Sequence, residues 1–482
     1  MSLAKNTLKG ITWSSISQFG KQIIQYFTTI ILASILNPSD FGLIALALIV
    51  IGFLNLFKDM GMSAAIIQTD ENSEVLYSTV FWANVLIGVL FTIILFITAP
   101  LIAQFYNDER IINILRILSP VFLISSISIL QKSLFEKKLE FKSLAHIELI
   151  AISVGSIVGI GMALTGYGVW SLVFQSISNN LFFSLLIWFK SEFRPKYVFK
   201  FKEIKKIFNY SLNLAGYNLF NYFVRNADYL LIGKFLGKEQ LGYYYLAYKI
   251  MLYPVQNITG IISRVLFPVY SQIKTDILKF RQVYKEVSNA IAFFTFPLML
   301  GILIVSESFV NTFFGSNWNH HTLILLIMIL APVGLMQSVV STVGSIYMAT
   351  GKTQYMFFWG IVTGIVYVTG FYIGIQFGVL CVAISYLINT VIFLYPVFAI
   401  PFKFIELSVR EFFSSFKVIL LSSIIMLLLT FLIKNYLIQF LSSLSQLTIL
   451  IAAGIIFYFT SFYYIDKTSL LGYLKRIKEL RI

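Results

Sequence analysis

The stretch Leu214–Gly242, LAGYNLFNYFVRNADYLLIGKFLGKEQLG, reads as a membrane-spanning helix interrupted by Asn218, Asn221, Arg225 and Asp228. Spaced by three, four and three residues, these side chains fall on one face of a helix of ~3.6 residues per turn. Ionisable groups are costly among lipid tails, so they normally face a wet cavity or a partner and mark a pathway. The first apolar segment carries a matching seam of Gln18, Lys21, Gln25 and Thr28. The two seams predict opposite walls of one central cavity.

Composition sets the surroundings of that cavity. Of 482 residues, 58% are hydrophobic and 12% charged, too much apolar surface for a soluble core. At about 20 apolar residues per span, the chain holds roughly fourteen transmembrane helices. It is expected to be an all-α polytopic membrane protein with no soluble domain long enough for an independent active site. The net charge of +15 does not point to nucleic acid, because Lys and Arg cluster in alternate loops. That asymmetry is expected to place those loops, and both termini, on the cytoplasmic side of the membrane. Met1–Gly10 lacks the small-residue site of a cleaved signal and is expected to stay in place. The lone Cys381 removes any intramolecular disulfide and any cysteine-based metal site.

Along the chain, segment one ends at Asn37-Pro38-Ser39-Asp40, and Pro120 falls inside segment four. Segments five and six form a tight pair around Thr165-Gly166, with Gly155, Gly159 and Gly161 expected to let segment five pack closely. The most basic stretch, Lys190–Lys206, is expected to lie against anionic head groups and to divide the halves. Trp318 and Asn319, beside Phe313 and Phe314, read as an interfacial aromatic belt.

Two offsets indicate a duplication. A shift of 200 sets Gly42 on Gly242 and Leu46-Ala47 on Leu246-Ala247; a shift of 210 sets Gly168-Val169 on Gly378-Val379 and Asn179 on Asn389. Six spans return the chain to its starting side, so the copies are expected to be parallel repeats. The division expected is 1–200 and 201–405 as two six-helix lobes around the central cavity, with 406–482 supplying two further helices and a basic tail.

Candidate substrate-binding residues are Lys21, Gln25, Asn221 and Arg225, whose cations suit a phosphate: Arg offers a fork of donors and Lys a point charge. Asp228 and Lys249, each about ten residues from the turn at Gly237–Gln240, could form an ion pair or a coupling site. Lys21 could instead pair with Asp59. Enzymatic readings fare worse. His320-His321 adjoin in a loop and do not suit one metal, no Walker-type phosphate loop is present, and His146 has no nucleophile motif beside it. No cofactor or metal is expected.

Trp13-Ser14, Pro38-Ser39-Asp40-Phe41-Gly42, Gly233-Lys234, Leu241-Gly242-Tyr243, Arg264-Val265-Leu266-Phe267-Pro268 and Met348-Ala349-Thr350-Gly351-Lys352 together resemble the Wzx-type polysaccharide exporters. The likeness, nearest to the colanic and teichuronic acid branch, runs over essentially the whole chain. It implies the multidrug/oligosaccharidyl-lipid/polysaccharide (MOP) exporter fold and transport of an undecaprenyl-diphosphate-linked oligosaccharide to the outer leaflet. The partners implied are that lipid-linked oligosaccharide, membrane lipids and a polysaccharide polymerase or export machinery, with the protein itself a monomer. Two other classes stay open: a cation-coupled small-molecule antiporter of the same superfamily, and a membrane glycosyltransferase or polymerase.

Overall fold

The computed structural model describes residues 3–58, 62–68, 73–201, 219–273 and 276–472, and every regular element among them is an α-helix. The chain separates into two compact units, Met1–Gly242 and Tyr243–Ile482.

In the first unit, α1 (Leu3–Ile35) and α2 (Pro38–Asn55) are separated by the Asn37-Pro38 turn. Proline stands at the first helical position of α2, where its missing N–H costs nothing, and the Asn37 N–H donates to the Asp40 carboxylate at 3.1 Å. Then come α3 (Met62–Gln68), α4 (Glu74–Tyr106), α5 (Arg110–Leu118), α6 (Pro120–Lys137), α7 (Phe141–Leu164), α8 (Val169–Lys190) and α9 (Ala227–Phe235). Pro120 splits segment four into α5 and α6 at the buried Ser119. The helix α7 packs between α1 and α8, α6 lies between α4 and α8, and α2 meets α5, α8 and α9. Gly155 and Gly159 account for the closeness of α7 and α8, since an added methyl would stand 2.8 Å from the Gln175 carbonyl or 2.9 Å from its Cβ. Gly161 faces open space and takes no part, contrary to its expected role.

The basic stretch continues from α8 as an extended strap. Arg194 donates to the carbonyls of Trp188 and Ser191 at the end of α8. Further on, the N–H groups of Lys196 and Lys200 donate to the Ser78 and Thr79 hydroxyls of α4, at 3.0 and 3.2 Å. Lys202, Lys205 and Lys206 lie outside the described residues. The first compact unit runs past this strap to Gly242, because α9 packs on α2 and α4.

The helix α10 (Gly237–Ile273) begins in the first unit and continues in the second, which holds α11 (Ile277–Phe313), α12 (His320–Val340), α13 (Val343–Ala349), α14 (Thr353–Ile375), α15 (Val379–Phe402), α16 (Val409–Ser415), α17 (Lys417–Tyr436) and α18 (Ser443–Ile465). The last two pack together and against α11. Around them a core of aromatic rings includes Tyr284, Phe398, Phe402, Phe412 and Phe462, and the Tyr284 and Thr342 hydroxyls bond at 2.8 Å.

The duplication has a backbone counterpart in each unit. Gly168 and Gly378 precede α8 and α15 with φ of +56° and +102°, which a β-carbon would oppose. Asn179 and Asn389 each press on a glycine of the preceding helix, Gly155 and Gly370.

Among the described residues, eleven helices are long and apolar enough to cross a membrane, against the roughly fourteen expected. The expected first span, α1, is diluted by its own polar seam; the expected seventh is described only from residue 219, and the eighth coincides with α10.

Candidate functional site

The helix α1 shows how the chain separates lipid from polar contacts. Ile16, Phe19, Ile23, Phe27 and Ile31 recur every three or four positions and are exposed, an apolar stripe suited to acyl chains. Lys21, Gln25 and Thr28 lie off that stripe. Thr28 is buried and returns its hydroxyl to the Ile24 carbonyl at 2.7 Å; Gln18, Lys21 and Gln25 are half-buried.

Lys21 is the centre of a polar cluster with α7. Its ammonium stands 2.8 Å from Glu148 Oε2, and the same oxygen accepts the Ser17 hydroxyl at 2.5 Å. Side-chain exposures of 28% for Lys21 and 16% for Glu148 make this a largely desolvated pair, where attraction exceeds that of a surface bridge. Nearby on the same two helices, Trp13 meets His146 edge to face at 5.4 Å and lies under the Lys142 ammonium. The partner expected for Lys21 from sequence, Asp59, lies outside the described residues, and the carboxylate that meets Lys21 is Glu148. Sequence reading passed over Glu148 although the signal was there: it is the one acid in the membrane-length run Leu144–Leu164.

The seam of span seven is divided. Residues 219–225 are helical, a turn follows at Asn226, and α9 begins at Ala227. Asn226 has φ −116° and ψ 9°, and its side-chain amide donates to the Tyr222 carbonyl at 2.8 Å. The expected single row is therefore broken. Asn221 is half-buried and Arg225 exposed, making no ion pair among the described residues, whereas Asp228 is only 4% exposed. Asp228 sits in the first turn of α9 and accepts from the Tyr229 N–H at 2.8 Å, a place where the helix dipole favours an anion. Asn218 lies outside the described residues. Tyr222, between these polar groups, donates to the Ile49 carbonyl at 2.5 Å and ties the segment to α2. In the second unit, Lys249 is half-buried with its ammonium 5.4 Å from the Tyr245 ring centre.

One end of the first unit is held by glycines. A methyl group on Gly42 would stand 1.7 Å from the Lys238 carbonyl oxygen, and one on Gly242 would stand 1.9 Å from that of Pro38. The two residues matched by the repeat thus meet each other, backbone against backbone. Lys238 and Arg110 both pair with Asp108 beside this contact.

Two expectations near residue 320 change. Trp318 is 3% exposed, edge-on to Tyr243 and Phe314, so it packs a buried corner and does not form a belt. His320 and His321 open α12, and His320 Nδ1 lies 2.9 Å from Asn311 Oδ1, so neither histidine is in a loop.

Polar clusters enclosed among apolar, lipid-length helices define a multi-pass membrane protein of the transporter kind. The fold agrees with solved structures: a lipid II flippase, MurJ, in an inward closed conformation (TM-score 0.76, 19% identity, 94% of this chain and 98% of that one) and an inward-facing multidrug resistance MATE family transporter of the MOP superfamily (TM-score 0.61, 15% identity, 81% and 98%). The polysaccharide biosynthesis protein family matches residues 31–323, and the chain belongs to it. Similar relatives are the teichuronic acid biosynthesis protein TuaB of Bacillus subtilis, 30% identical across 81% of each chain, and the lipopolysaccharide biosynthesis protein WzxC of Escherichia coli, 27% identical across 81% of this chain and 80% of that one.

Proposed function

We propose that this protein is a flippase moving an undecaprenyl-diphosphate-linked oligosaccharide across the cytoplasmic membrane by alternating access, for surface polysaccharide biosynthesis. The observation that carries the reading is the half-buried ammonium of Lys21 inside a lipid-length helix bundle, in a chain of the polysaccharide biosynthesis family. That ammonium is held by the Glu148 carboxylate, and the diphosphate of such a substrate offers it the same kind of anionic oxygen. Lys21 and Arg225 serve as phosphate ligands, and Gln25 and Asn221 as hydrogen-bonding groups for sugar hydroxyls. The two six-helix lobes, 1–200 and 201–405, rock with 406–482 attached to the second, and both termini stay in the cytoplasm. The chain works as a monomer alongside a polymerase or export machinery.

A second reading has its own observation. Asp228 is a buried carboxylate at a helix start, and such a group suits a cation-coupled antiporter.

The test is reconstitution. Purified protein in liposomes should move a fluorescent undecaprenyl-diphosphate-linked disaccharide between leaflets, and Arg225→Ala should slow that movement about tenfold at unchanged thermal stability, the value of one charge-assisted contact of ~1.4 kcal/mol. Unchanged transport in the variant removes Arg225 from the site. Transport of a small organic cation with no movement of the lipid would favour the antiporter.

A further inference from the structure

The carboxylate on Lys21 is not explained by a transporter that simply needs a cation for phosphate. Glu148 Oε2 takes the Lys21 ammonium at 2.8 Å and the Ser17 hydroxyl at 2.5 Å, so one oxygen holds both donors. The three groups belong to two helices that pack along their length, α1 and α7. A carboxylate oxygen and a phosphate oxygen offer an ammonium the same thing: a negatively charged acceptor within hydrogen-bonding distance.

We infer that Glu148 is a built-in competing anion: it holds Lys21 between transport cycles, yields it to a phosphate oxygen of the substrate, and takes it back to drive release. This rests on the reading of Lys21 as a phosphate ligand. The physical need is twofold. An ammonium this desolvated is costly without a counter-charge, so the site must be neutralised when no phosphate is there. A cation with no competitor would also hold a diphosphate too well, and affinity that is equal on both sides of the membrane slows departure as much as it helps arrival. Ser17 has a separate part in this. When the ammonium leaves, its hydroxyl still donates to Oε2 and keeps the carboxylate placed for recapture. Glu148 is thus a positioning residue for Lys21 and does not touch substrate itself.

The experiment is saturation kinetics in proteoliposomes, with initial flipping rate measured against the mole fraction of fluorescent undecaprenyl-diphosphate-linked disaccharide. Glu148→Gln keeps the shape but loses the charge. It should lower the half-saturating fraction about tenfold and lower the maximal rate by a similar factor, and Glu148→Asp should restore both towards wild type. Ser17→Ala should move both parameters in the same direction by about threefold; should Glu148→Gln fail to fold, this variant decides the matter. A Glu148→Gln or Ser17→Ala protein with unchanged half-saturation, or with weaker binding, overturns the inference. Lys21→Ala separates it from the broader reading. If Lys21→Ala transports normally, Lys21 is no phosphate ligand and both fall. If Lys21→Ala is crippled while Glu148→Gln changes only thermal stability, the competing-anion role alone is refuted.

Discussion

Replacing Gly42 by alanine tests the Gly42–Gly242 contact most directly, because the obstacle is backbone on both sides. The new methyl would start 1.7 Å from the Lys238 carbonyl oxygen, while real β-carbons keep beyond about 3 Å. The starts of α2 and α10 must therefore separate by more than an ångström, and Asp108, which pairs with Lys238, moves or loses that partner. Overpacking of this kind costs about 1–3 kcal/mol, and a rigid main-chain obstacle puts the site at the upper end. Alanine returns about 1 kcal/mol of helix propensity, leaving a net loss of about 2 kcal/mol. Gly161→Ala is the matched control, with nothing near its added methyl. Tryptophan fluorescence during heating in detergent should place Gly42→Ala about 2–4 °C below wild type and Gly161→Ala at or above it. Gly242→Ala should repeat the loss, and the double variant should lose less than the two singles added, because they strain one contact. If Gly42→Ala melts with the control, the close approach is not a feature of the folded protein.

Two further outcomes follow from the geometry. Tyr284→Phe deletes a fully buried hydroxyl bonded to Thr342, whose own hydroxyl still donates to the Val339 carbonyl, so the cost should be about 1 kcal/mol by thermal unfolding, with transport retained. Lys196→Ala removes an ion pair with Glu74 whose partners are each 66% exposed; the same assay should shift by less than about 0.5 kcal/mol, since water screens such pairs and the strap is held by its backbone bonds to Ser78 and Thr79.

The residues that sequence reading located well are those whose behaviour is local. The Asn37-Pro38 break and the glycines at 168 and 378 each act through their own backbone, so their effect is the same wherever the helices go, whereas Pro120 was read as lying inside one span that the structure divides there. The pairing of Gly42 with Gly242 was visible as a repeat match, but its meaning as a physical contact was not. Arg225 and Asp228 were placed on one face by assuming an unbroken helix. The turn at Asn226, with its amide returned to Tyr222, parts them, and no proline or glycine stands beside it to announce a break.

By itself the sequence determined that the chain is a bundle of lipid-length helices carrying charge in several of its spans, because apolar runs and helix-breaking residues act over one or two turns. Only the tertiary structure decided that Lys21 meets Glu148, that Trp318 is buried under Tyr243, and that Gly42 lies on Gly242. Each of these joins positions from different helices. A side chain's neutraliser or cover across such a distance is set by how whole helices pack, and that depends on every contact along their length rather than on the residues beside it.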